Sequence, residues 1–102
     1  MYSESYNYNQ TINIPATIKF EGTKYKVTEI EDYAFKGMEL LTNVSIGKNV
    51  KKIGNGAFKN NKKLKKITVL STKLEEGGVG QECFMNINKK STFKVPSKML
   101  KK

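Results

Sequence analysis

The chain has no histidine, no tryptophan and no arginine, and only one cysteine and two prolines among its 102 residues. Each absence removes a class of chemistry. Without histidine there is no imidazole to activate a serine or cysteine nucleophile. One cysteine, Cys83, forbids an intrachain disulfide and says nothing about redox compartment. Without arginine the usual bidentate reader of guanine is missing, which argues against sequence-specific recognition of nucleic acid. No run of 18 apolar residues occurs, so no membrane-spanning helix is expected. No basic-then-apolar stretch opens the chain, so no leader peptide is read there.

Lysine is abundant. All 19 basic residues are lysine, against 9 acids. Residues 1–50 hold 5 lysines and 6 acids, whereas residues 51–102 hold 14 lysines and 3 acids. The basic field therefore belongs to the C-terminal half. A field of that size attracts anionic partners over about a Debye length. At this length the chain makes one domain, and it needs some structural economy to be stable.

That economy is a repeat. "VTEIEDYAFKG" (27–37) returns as "VKKIGNGAFKN" (50–60), 23 residues later. At that shift Val27 meets Val50, Ile30 meets Ile53, Ala34 meets Ala57 and Phe35 meets Phe58. Leu41, Val44 and Ile46 then meet Leu64, Ile67 and Val69. The matched positions are almost all apolar, while those between them drift among Lys, Asn, Glu, Thr and Gly. This is the pattern of a coil whose inward side chains are fixed and whose outward ones are not. A third copy follows at a step of 26: "VGQECF" (79–84) matches "IGNGAF" (53–58), and "FKV" (93–95) matches "ITV" (67–69). The added residues fall in "STKLEEGGVG", where paired glycines allow a bulged loop. Before the first full copy, "TIKF" and "YKV" alternate on either side of "EGT", which predicts a hairpin capping the N-terminal end.

The endings "VSI" and "ITV" alternate and are rich in β-branched residues, as in a strand with one buried face. Gly54 and Gly56 suit a tight bend around Phe58. No single unit of this kind buries its own apolar side; stacked copies do. The expected core is Ile30, Phe35, Leu41, Val44, Ile46, Ile53, Phe58, Leu64, Ile67, Val69, Phe84 and Phe93.

The stretch "LTNVSIGKNVKKIGNGAFKNNKKLKKITV" resembles the BspA-type leucine-rich repeat, with Leu41, Val44, Ile46, Val50, Ile53, Gly54, Ala57 and Phe58 on its pattern. The resemblance covers about residues 12–100. It implies a β-rich, right-handed leucine-rich-repeat solenoid, with a parallel sheet on one face and turns or short helices on the other. It also implies a non-catalytic protein, secreted or on the bacterial cell surface, with adhesion to host matrix protein or an anionic glycan as the expected activity. The alternative is a structural spacer with no ligand of its own. The expected layout is one domain: a polar segment at 1–11, a capping hairpin at 12–30, repeats at 30–96 and a basic tail at 97–102.

Alternation places Asn43, Ser45, Lys66, Thr68, Thr92 and Lys94 on the outer face of the sheet, where solenoids commonly bind. Lys62, Lys63 and Lys65 join them as candidates, within the pairs Lys51/Lys52, Lys62/Lys63, Lys65/Lys66 and Lys89/Lys90. The plainer reading of these lysines is solubility and protection of open sheet edges. Glu29, Glu31 and Asp32 read as a charged turn, since no glycine-centred calcium loop surrounds them. "EEGGVGQ" lacks the order of a phosphate loop. "NQT" (9–11) and "NVS" (43–45) match the glycosylation pattern by chance. Cys83 stands where the second copy has Ala57 and reads as a buried small hydrophobe. No metal or cofactor is called for.

Overall fold

A computed structural model describes residues 10–97. The polar opening up to residue 9, Asn9 of "NQT", and the basic tail beyond Ser97 lie outside the described residues. Strands β1 (Gln10–Ile14), β5 (Leu41–Ile46), β7 (Lys66–Val69) and β8 (Thr92–Lys94) form a four-stranded sheet in that order. All three pairings are parallel. Val44 lies beside Ile67 at the 23-residue step, and Ile67 beside Phe93 at the 26-residue step. A second, short ladder joins β4 (Glu29–Ile30) to β6 (Lys52–Ile53) and continues as a parallel bridge from Ile53 to Val79. The repeat read from the sequence is thus the stacking period of the fold.

The sheet starts earlier than expected. Ile12 pairs with Val44 and Ile14 with Ile46, so the first coil's strand is β1 and not "TIKF". The step there is 32 residues, because a hairpin is inserted before the coil closes. That hairpin is β2 (Thr17–Phe20) and β3 (Thr23–Lys26), joined through Glu21 and Gly22, both at positive φ. Positive φ at both loop residues is the turn that matches strand twist. Its apolar side chains stay largely in solvent: Ile18, Phe20 and Tyr25 are at least half exposed.

The bends opposite the sheet are turns, and no α-helix occurs among the described residues. The backbone explains this. Tyr33, Gly56 and Glu82 occupy one position of successive coils, and Gly37, Asn60 and Asn86 another; all six have positive φ. A left-handed residue at each end of a five-residue bend interrupts any right-handed helix. The bends are held to one another instead. Phe35 N–H donates to Ala57 C=O and Phe58 N–H to Cys83 C=O, both at 2.8 Å. Gly37 and Asn60 donate in the same sense to Lys59 and Met85. Coils are therefore cross-linked on both faces.

Between the faces lies the core. Leu41, Ile46, Val50, Ala57, Phe58, Leu64 and Ile67 are fully buried, and Ile30, Val44, Ile53, Val69 and Cys83 nearly so. Phe35, Phe58 and Phe84 stack in a column with ring centroids 5.4 Å apart at each step. Phe35 and Phe84, at its ends, are only half-buried. Phe93 corrects the expected core: it is 50% exposed. Its register is inward, beside Ile67, but no described coil lies beyond β8 to cover it. Its ring sits perpendicular to that of Phe84, with centroids 5.0 Å apart.

Gly54 shows how closely the coils approach. A Cβ there would overlap the backbone of Glu31 and Asp32, and one on Gly80 the backbone of Gly54 and Asn55. The first copy carries Glu31 at the same position because no earlier bend lies against it. Gly54→Ala is expected to destabilise the chain by about 1–3 kcal/mol, whereas Glu31→Ala should change stability by less than about 0.5 kcal/mol. Urea denaturation midpoints measure both.

Candidate ligand-binding face

The alternation that buries Val44, Ile46, Ile67 and Val69 turns their neighbours outward. Pairing aligns those neighbours across the sheet. One row is Thr11, Asn43, Lys66 and Thr92; the next is Asn13, Ser45, Thr68 and Lys94. With strands about 4.8 Å apart, each row spans roughly 14 Å. Every sheet residue expected from the sequence lies on this face. Thr11 and Asn13 complete it and were missed, because the unequal first step hid β1. The alternation of Ile12 and Ile14 was the available signal.

Several polar side chains of the opposite side are used internally. Asp32 Oδ1 accepts Asn55 N–H at 2.8 Å, and Asn55 Oδ1 accepts Gln81 N–H at 2.9 Å. Asn86 Nδ2 donates to Asn60 Oδ1 at 2.9 Å. Asn61 is fully buried: its Oδ1 accepts Met38 N–H at 2.9 Å, and its Nδ2 donates to the carbonyls of Phe35 and Phe58. Buried Ser71 donates to Val50 C=O at 2.6 Å. Asn49, also buried, donates to Ala16 C=O and accepts from Lys73 Nζ. By contrast, none of the side chains in the two outward rows hydrogen-bonds another described residue.

The lysines separate into groups. Lys62, Lys65, Lys89 and Lys90 come together around one open depression. Lys63 faces the adjoining one, which also holds Glu39. Lys51 and Lys52 lie elsewhere, among Thr28, Glu29 and Glu75. Lys59 pairs with Glu82 at 2.8 Å. Hydrogen bonding and attraction within that pair hold Lys59 above its ordinary pKa and the Glu82 carboxyl below its own. Being exposed to solvent, the pair adds little to stability.

Cys83 is 3% exposed, as a small core residue should be. Burial pushes its thiol from an ordinary value of 9.0 up to about 11. The folded chain thus holds this proton more tightly than the unfolded one. The resulting stability is complete below pH 9.0 and is lost as pH rises towards about 11. At neutral pH the sulfur is a protonated, inward-facing group and not a nucleophile. Glu29, Glu31 and Asp32 are exposed, with Asp32 committed to Asn55. Among the described residues no group of three or more metal-ligating side chains forms, and no helix is long and apolar enough to cross a membrane.

The family model described as "BspA type Leucine rich repeat region" matches residues 3–101. Among solved structures, the chain is similar to a leucine rich cell surface protein from Faecalibacterium prausnitzii A2-165, at 30% identity and a TM-score of 0.69. The match covers 85% of this chain and 25% of that one, so this chain spans about a quarter of the protein it resembles. No curated protein matches.

Proposed function

The chain belongs to the BspA-type leucine-rich repeat family, and from that premise we propose that it is a non-catalytic interaction module of a secreted or cell-surface bacterial protein. Its ligand is a host matrix protein or an anionic glycan, held on the outer face of the sheet and the lysine-rich half beside it. The winding is right-handed, the hand that parallel crossover connections follow, and the β2–β3 hairpin serves as the N-terminal cap.

The observation that carries this reading is an asymmetry. On the turn side, Asp32, Asn55, Asn60 and Asn86 spend their side chains in coil-to-coil hydrogen bonds. On the sheet side, the side chains of two aligned rows make no hydrogen bond to another described residue, which leaves that capacity for a ligand. A flat, ordered array of uncommitted polar groups on parallel strands is the form in which solenoids present binding surfaces.

The test is retention on surfaces coated with extracellular-matrix proteins or with heparin, at about 0.15 M salt, where weak charge attraction is screened. The chain should be retained on at least one. Adding bulk without charge to the outer face, Ser45→Gln with Thr68→Gln, should weaken retention on a protein surface by roughly tenfold. Failure to bind either class of surface would leave only the role of a spacer.

A further inference from the structure

Lys62, Lys65, Lys89 and Lys90, with Ile87 and Asn88, line one open depression of about 530 Å³. Among the described residues, no carboxylate lines it. The lysines come from two successive turns, and Asn88 ties those turns together. Its N–H donates to Leu64 C=O at 3.2 Å, and its Nδ2 donates to Lys62 C=O at 3.3 Å. Its Oδ1 accepts Lys90 N–H at 2.8 Å. Thr92 N–H adds a bond to Lys65 C=O at 2.8 Å. The backbone that carries these lysines is thus tied turn to turn, and four cationic side chains border one depression, which concentrates positive potential there. Lys62 also borders the adjoining depression, with Lys63 and Glu39, whereas Lys65, Lys89 and Lys90 line this one alone; elsewhere Lys51 and Lys52 lie with Glu29 and Glu75, and Lys59 has Glu82.

We infer that this depression is the binding site for a sulfated polysaccharide. The inference rests on the interaction-module reading and specifies its ligand and its site. Lysine is a compact point charge that satisfies isolated anionic groups, without the planar fork that arginine offers. Single-stranded nucleic acid calls for aromatic platforms on which bases stack; here the apolar lining is Ile87 alone. A sulfated sugar chain suits what is present, because it brings separate anions on short arms together with an apolar ring face.

The test titrates heparin oligosaccharide into the full chain at several salt concentrations, with hyaluronan and duplex DNA as parallel probes. The variant K62A/K65A/K89A/K90A should bind heparin about a hundredfold more weakly at about 0.15 M salt. Its log–log salt slope should fall by roughly one for each sulfate the variant no longer engages. The halves K62A/K65A and K89A/K90A should each show part of the loss, so the result does not hang on one variant. The control K19A/K24A/K26A/K48A removes the same charge from exposed lysines of the first half and should bind within about threefold of the parent. An equal loss in the control overturns the site, because binding then follows net charge. Hyaluronan binding as tightly as heparin overturns the role of sulfate, and duplex DNA doing so overturns the polysaccharide. Retention on matrix protein, sensitive to Ser45→Gln and Thr68→Gln, with no heparin binding removes this inference and leaves the module reading intact. No binding to any probe removes both.

Discussion

Phe58→Ala is expected to bring the chain close to unfolding, at a cost of about 3–5 kcal/mol. Phe58 is fully buried between Phe35 and Phe84, with both neighbouring rings 5.4 Å away. Its removal opens a hole in the middle of the column, and neither neighbour can fill it. Backbone hydrogen bonds between the bends, from Phe35 N–H to Ala57 C=O and from Phe58 N–H to Cys83 C=O, fix the coil spacing. A domain of this size holds only about 5–15 kcal/mol in total, so a loss of this order should lower the melting temperature by something like 20 °C. Phe35→Ala and Phe84→Ala should cost distinctly less, because those rings are already half in water. A drop of only a degree or two for Phe58→Ala would mean that the column does not hold the coils together.

Asn61→Ala is the other substitution with a large expected effect, for a different reason. Alanine removes little apolar area here. It strands Met38 N–H and the carbonyls of Phe35 and Phe58, which Asn61 satisfies from a fully buried position. Each buried polar group left without a partner costs about 1–3 kcal/mol, and water reaches part of this site, so a loss of about 2–4 kcal/mol is expected. Asn61→Asp separates the polar effect from size. It keeps the acceptor for Met38 but sets a carboxylate against two carbonyl oxygens, which raises its pKa in the folded chain. The destabilisation should therefore be largest at neutral pH and ease as pH falls and the carboxyl gains a proton it can donate. Denaturation curves at pH 7 and pH 4 measure the difference, at about those values. Equal losses at both would show that the amide's donors are not what the fold needs.

Asn61 also marks where sequence reading stops. The same position holds Met38 in the coil before and Ile87 in the coil after, both packed against the core. A comparison of copies marks Asn61 as a polar residue at an otherwise apolar position, but not what it bonds; that depends on which backbone groups the bends leave open. The apolar columns were legible because an inward position shared by stacked coils tolerates little change. The 23- and 26-residue steps therefore reappear as the register of β5, β7 and β8. Phe93 belongs to such a column, yet lies at its end, and only the stack shows that it is uncovered. Tyr33 and Glu82 sit at positive φ without being glycine, a state visible only by aligning them with Gly56. For the binding face, alternation found the rows on β5, β7 and β8. It did not find β1, and it could not bring Lys62 and Lys65 to Lys89 and Lys90, since that meeting depends on one turn lying over the next.

Each strand of the main sheet finds its partner between 23 and 32 residues away. The entropy lost in closing a loop rises only slowly with its length, and here no pairing requires a closure longer than one winding. A polymer assembled on this plan can grow without making the search for any one partner harder. Its refolding rate would then be set by the single winding, while resistance to denaturation accumulates with each added layer.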